Sequence, residues 1–309
     1  VAALRAAQDV VTAYGRLGLG WDSNADQSGT NSALGSVASL PVPSAFTSLY
    51  GEAKRRAKLT SDTWLEAGLG LDGVLLLAEG AQQFSLLRHD QSLALDFGLG
   101  HHLRLTPRAV AAWYLAGLEH PEPFLAEGGM QVRLAYQPSR WAQSYLELDG
   151  RLRQGFDDYR YLDGSQLTVT VSQRLLTERT RLDATLQGRL YDVGTLTTAL
   201  STTSLPACGV FCTNGTYVIP LGYASLSGQL RESWEALPSL FLGSMQGLEA
   251  RRYLEDSYVQ GGPTGTQLLL GSDKRRRDLR LQLGADATWA WGPRSDRGLT
   301  LQWTRSEEH

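Results

Sequence analysis

The chain is poor in the residues that most often carry chemistry. Its 309 residues include 2 Cys, 2 Met and 5 His. Two Cys are too few for a disulfide framework, and no His or further Cys lies near enough to Cys208 and Cys212 to complete a zinc set. A basic excess is also lacking. Lys+Arg number 29 against 32 Asp+Glu, a formal net charge of -3, which excludes the electrostatic footprint of a nucleic-acid binder. Long apolar runs are absent too: stretches such as Val74 to Ala78 fall far short of the roughly 20 residues of a membrane helix. Mean hydropathy is -0.23 and hydrophobic content 42%, ordinary values for a soluble protein. No secretory leader stands at Val1, as expected of a mature or trimmed chain, or of one that needs none.

What the chain does have is a period of two. In "YGRLGLGWD", Leu17, Leu19 and Trp21 alternate with Arg16, Gly18, Gly20 and Asp22. Successive side chains of a strand point to opposite sides, so this is a strand with one apolar and one polar face. The same text recurs at Leu65–Asp72, Leu93–Gly100, Met130–Gln137, Leu146–Arg153, Leu167–Ser172, Leu182–Leu190, Ala224–Arg231 and Leu279–Trp289. Ala109–Leu118 and Leu299–Thr304 read as strands of less contrast. Phe46–Lys58 is interrupted by Arg55, and Ser239–Arg251 is ambiguous in parity. The count is thirteen strands.

The connections alternate between short and long. Short turns are predicted near Thr60–Asp62, Thr106–Arg108, Pro138–Arg140, Leu176–Thr180, Glu232–Leu237 and Gly292–Gly298. Long loops are predicted near Ser23–Ala45, Val74–His89, Glu119–Glu127, Phe156–Gly164, Asp192–Thr216 and Tyr253–Lys274. Bacterial outer-membrane barrels segregate their connections in this way, with short periplasmic turns and long outer loops. The predicted fold is therefore all-β, an antiparallel up-and-down transmembrane β-barrel of about 14 strands, 13 of them counted here. A soluble sandwich or lipocalin-like barrel is the alternative. Residues 1–10 form a short N-terminal segment and 11–309 the barrel. Trp64, Trp141, Trp234, Trp289 and Trp291 lie near short turns and Trp21 at the opposite end. They are read as aromatic girdles at the two interfaces, against the alternative of filling a soluble core.

"LGLGWDSNAD" resembles the first barrel strand of a broad group of Gram-negative outer-membrane proteins. In these the strand reads Gly-x-Gly-Tyr-Asp-Ser-Asn, and Trp21 stands here for the Tyr. "RYLDGSQLTVTV" and "KRRRDLRLQLG" are similar in tone to their later strands. Many of these barrels follow a periplasmic tetratricopeptide domain, the surface lipoprotein assembly modifiers among them. The resemblance implies a fourteen-stranded barrel that helps pass lipoproteins to the cell surface. "VAALRAAQDVV" would then be the tail of a helical periplasmic domain, although no 34-residue repeat stands in this sequence.

The candidate chemistry is sparse. Cys208 and Cys212 share a predicted outer loop, and an oxidising compartment favours a disulfide over two free thiols. His101 and His102 are neighbours on a strand end and point apart, so they do not chelate together. No metal or cofactor is implied, and no nucleophile singles itself out for an enzyme. "DKRRRD" at 273–278 reads as a solvated rim. The inward charges are the richest feature: Arg16, Arg104, Arg133, Arg151, Arg153, Arg174, Arg189, Arg231 and Arg280 share the predicted lumen with Asp22, Glu66, Asp72, Asp96, Glu147, Asp149, Asp183 and Asp286. Such mixed signs either face each other across a wet pore or pair into a network.

Two functions are expected, a conduit or translocon for a solute, polysaccharide or exported protein, or an anchor subunit without an open pore. Outer-membrane lipid and lipopolysaccharide are the expected surroundings, and periplasmic or surface proteins the expected partners. Closure carries its own expectation. Thirteen alternating strands leave the first and last running the same way, so a fourteenth strand is needed to complete the ring.

Overall fold

The computed structural model describes residues 9–22, 44–79, 81–82, 85–117, 121–199, 216–255, 258–261, 266–269, 277–291 and 297–308. In chain order the strands are β1 (Asp9–Asp22), β2 (Ser44–Lys58), β3 (Thr63–Leu76), β4 (Leu86–Gly98), β5 (Leu103–Ala116), β6 (Glu122–Ser139), β7 (Ala142–Gly155), β8 (Gly164–Leu176) and β9 (Thr180–Val193). They continue as β10 (Thr195–Ala199), β11 (Thr216–Pro220), β12 (Tyr223–Leu237), β13 (Leu240–Tyr253), β14 (Tyr258–Gly261), β15 (Thr266–Leu269), β16 (Arg277–Trp291) and β17 (Arg297–Glu308). Thirteen of them form one up-and-down antiparallel sheet in the order β1 to β9, β12, β13, β16, β17. The predicted count of long strands is the observed one.

Register shows why alternation organises the sheet. Directly paired residues share a face. Leu65, Ala67 and Leu69 therefore stand beside Leu95, Leu93 and Gln91, while Glu66, Gly68 and Gly70 stand beside Ala94, Ser92 and Asp90. One face is apolar and exposed along its length, as at Leu17 (81% exposed), Leu19 (86%), Leu148 and Leu186. The other carries most of the charges. Among the described residues no second layer packs on the apolar face, and the buried hydrophobics are few: Leu76, Ala81, Ala94, Ala112 and Leu125. The wall is barrel-like, but no ladder among the described residues joins β1 to β17. The edge is visible in β1, where Tyr14 and Arg16 are exposed as well as Leu17.

Three predictions are corrected. The turn expected at Thr106–Arg108 is part of β5, and the chain reverses instead at Leu99–His102. Pro107 prompted the turn reading, because a proline lacks the donor a ladder needs. Here it sits in the strand opposite Val132, and the β4–β5 ladder lapses between Arg108 and Leu105. Glu232–Leu237 likewise belongs to β12, with the turn at Pro238–Ser239. Ser239 there has a φ of 70°, a left-handed conformation that tightens the reversal.

The third correction concerns two of the long connections, Asp192–Thr216 and Tyr253–Lys274. They are not plain loops, because β10, β11, β14 and β15 form a four-stranded antiparallel sheet. It grows from the main sheet: Leu221 N–H donates to Gly194 O (3.4 Å) and Leu254 N–H to Gly222 O (3.0 Å). Between β7 and β8 a 3-10 turn spans Asp157–Leu162.

Candidate functional site

The polar face holds two bands of side chains. The first lies toward the short turns and is built from ion pairs. Asp96 accepts from Arg56 and from Arg104 (Nε to Oδ1, 2.9 Å), and Arg108 reaches Glu66 at 2.8 Å. Arg133 pairs with Glu147 (2.5 Å), Arg174 and Arg181 both with Asp183 (2.6 Å each), and Arg231 with Asp286 (3.4 Å). Some of these partners are directly opposed in register, as Arg133 is to Glu147 and Arg174 to Asp183. Others span an intervening strand, which must stay low beneath them. Arg108 crosses over the buried Ala94 to Glu66. Arg231 crosses β13 to Asp286, and a Cβ on Gly243 would lie 2.5 Å from the Asp286 carboxylate. Arg56, Glu66, Asp96, Thr106, Arg108, Gln131 and Arg133 line a cavity of about 160 Å³ in this band.

The second band lies toward the long connections and adds aromatic rings to the charges. Arg153 and Glu127 form its best-covered pair (2.8 Å, side chains 11% and 10% exposed). Tyr114 O–H donates to the same Glu127 (2.9 Å). The Arg153 guanidinium lies 4.7 Å over the ring of Tyr191, and that of Arg251 lies 5.1 Å over Tyr223. Tyr191, Tyr223 and Tyr253 are directly opposed on β9, β12 and β13. Their ring centroids are 5.2 and 5.9 Å apart. On the other flank, Tyr114 meets Phe124 (5.9 Å) and Phe124 meets Tyr159 (5.4 Å). Phe124 is the extra residue of a β-bulge, which re-aims its side chain. Tyr161 in the 3-10 turn has its pKa raised, first by burial and then by the neighbouring Tyr159.

Most predicted inward charges stand on this face. Asp149 and Arg151 pair with each other at 2.5 Å. Arg189 donates to Gln187 at 3.0 Å. Asp72 lies opposite Tyr50 and Arg88, and Arg280 opposite Glu249. Arg16 stands exposed on the open edge. The Asp22 backbone pairs with Ser44, while its side chain lies outside the described residues. Cys208 and Cys212 also lie outside them. His101 and His102 occupy the Leu99–His102 reversal, with His102 Nδ1 3.0 Å from Gln137 O.

The tryptophans divide. Trp21, Trp234 and Trp289 share the exposed apolar face, and Trp141 lies in a turn under Arg140. Trp64 does not join them. It stands on the polar face opposite Asp96, with the Arg56 guanidinium 4.7 Å over its ring. Arg56 crosses it to reach Asp96. For Trp291 the side chain is outside the described residues. Trp113, which sequence reasoning passed over, is on the apolar face stacked on His89 at 6.0 Å.

Sequence reasoning also missed Glu52, Lys54, Arg56, Arg88, Asp90, Arg108, Glu127, Arg181, Glu249 and Arg251. One signal would have found several of them. Opposite charges two residues apart lie side by side on one strand face. Glu52–Lys54, Arg88–Asp90, Arg181–Asp183 and Glu249–Arg251 all follow that rule. No protein-family model matches the chain, and no curated protein matches it.

Proposed function

We propose that the chain is the membrane-spanning barrel of a bacterial outer-membrane conduit for a solute, polysaccharide or exported protein. One observation carries this reading. A single sheet exposes a mostly apolar face, interrupted at Gln91, Glu232 and Gln246, with no second layer on it among the described residues, and gathers paired charges on the other. Water penalises such apolar surface by about 25 cal/mol per Å², whereas lipid does not. Backbone groups in lipid need strand partners throughout, which an antiparallel ladder supplies. The main strands, 12 to 18 residues long, exceed the roughly 9–11 needed to span.

In this reading the short turns face the periplasm, and the long connections with the four-stranded sheet face outward among lipopolysaccharide. Trp21, Trp234 and Trp289 sit at the interfaces. β1 and β17 run the same way, so one further antiparallel segment completes the ring. The mixed and largely paired inner charges support a weakly ion-selective passage for large polar cargo rather than a charge filter. The likeness of "LGLGWDSNAD" to the first strand of tetratricopeptide-linked barrels, surface lipoprotein assembly modifiers included, supports protein export as one branch, with periplasmic or surface proteins as partners.

The same ion pairs favour a second reading, an anchor subunit whose lumen is filled by its own network. Reconstitution into planar bilayers decides between them. A steady, weakly selective conductance is expected of the conduit. A folded barrel that stays silent and copurifies with periplasmic subunits overturns it in favour of the anchor.

A further inference from the structure

We infer that the tyrosine ladder on β9, β12 and β13 is a carbohydrate-binding track at the outer mouth. The inference rests on the conduit reading and narrows its cargo to an oligosaccharide or polysaccharide chain. Tyr191, Tyr223 and Tyr253 are directly opposed in register. They offer three successive rings, one per strand, at centroid spacings of 5.2 and 5.9 Å. They stand on the polar face, shared with Arg251 and Glu249, so they are not an interfacial girdle.

A sugar ring presents an apolar C–H face and a rim of hydroxyls. Its recognition needs flat aromatic surface beside groups that both donate and accept hydrogen bonds. The ladder supplies both. Arg153 and Arg251 bring guanidinium donors to the rings of Tyr191 and Tyr223. The Glu249 carboxylate, 2.8 Å from Arg251, brings acceptors, and the phenol groups do either. Successive platforms suit a chain of repeating units.

Other cargo fits less well. Of the guanidiniums beside the ladder, Arg153 and Arg251 are matched by Glu127 and Glu249 while Arg189 donates to Gln187, so an acidic polymer is the nearest competitor. A lipid needs apolar surface without interspersed charge. The ladder also lies at the root of the four-stranded sheet, which rises from β9, β12 and β13 through the Gly194 and Gly222 junctions. A polymer arriving from outside would meet that sheet first.

The test uses the whole barrel in detergent on an array of neutral, acidic and amino-sugar oligosaccharides, followed by calorimetry with the best binder. Saturable binding of a neutral oligosaccharide is expected. Tyr223→Leu should weaken it by about tenfold, Tyr223→Phe should retain most of it, and Trp234→Leu on the apolar face should leave it unchanged. Heat-modifiable gel mobility confirms that each variant is folded. If Tyr223→Leu does not fold, Tyr253→Leu replaces it. Conductance without binding to any glycan overturns the track and leaves the conduit standing. Glycan binding by a silent barrel keeps the track and removes the conduit. Capture of acidic glycans alone, abolished at about 0.5 M salt where charges are screened within a few Å, overturns the inference. So does binding that Tyr223→Leu, or Tyr253→Leu in its place, leaves unchanged.

Discussion

β1 and β7 carry the same alternation and live in different surroundings. In β7, Asp149, Arg151 and Arg153 are covered by neighbours on both sides, and each has a charged partner. In β1, among the described residues, a ladder runs along one side only, and Tyr14, Arg16, Leu17 and Leu19 are all exposed. Among the described residues its charged contact is Asp9 with Arg55, at the strand end on the apolar side. Alternation thus decides which face a residue takes, but neighbours decide whether its charge is buried, and so how much its partner matters.

The sharpest way to break the comparison is Glu127→Gln. It removes the carboxylate from Arg153 in the best-covered pair and weakens the bond from Tyr114. Losing one partner of a buried pair costs about 3 kcal/mol. The urea midpoint of the barrel in detergent should fall accordingly, and an unchanged midpoint would mean that water already solvates this pair. Next in size is a paired substitution in the same strand. Leu148→Arg places a cation on the exposed apolar face, at a cost of about 2–4 kcal/mol near a bilayer midplane. Asp149→Arg leaves the apolar face unchanged, but it takes the covered Arg151's partner and sets a second cation beside it, so its cost falls on folding stability rather than on contact with lipid. Membrane-insertion yields should fall for Leu148→Arg and hold better for Asp149→Arg. A Leu148→Arg barrel that inserts as well as the unaltered one would show that this face does not meet lipid. The smallest effect is expected at the edge: Asp9→Asn breaks an exposed contact with Arg55, and exposed pairs contribute little. A clear drop in its urea midpoint would mean that the β1 edge is covered in the assembled protein.

The β13 segment shows where reading the sequence stopped. From Ser239 to Arg251 either parity placed polar or small residues on the apolar face. Register with β12 and β16 resolves it: Gln246 and Ser244 stand on the apolar side, while Met245 and Phe241 face inward. Glu249 and Arg251 were missed for this reason. Glu127 escapes notice because Glu119–Glu127 reads as a loop, whereas β6 already begins at Glu122, and Arg108 because Pro107 suggests a turn. Trp64 belonged to the inner face by its own parity with Glu66, yet nearness to a turn outweighed parity in the prediction. The four-stranded sheet left no legible trace, since its strands are only four or five residues long. Runs of that length have too few alternations to stand out.

Local chemistry alone determined the all-β class, the number of long strands and most of the inward charges. A period of two is written in neighbouring residues and needs no knowledge of the rest of the chain. Tertiary structure decided the ion-pair partners, the tyrosine ladder and the open edge. Each depends on register between segments that contact only after folding. Arg231 and Asp286 are 55 residues apart in the chain, and the contact between them depends on how β13 lies between their strands.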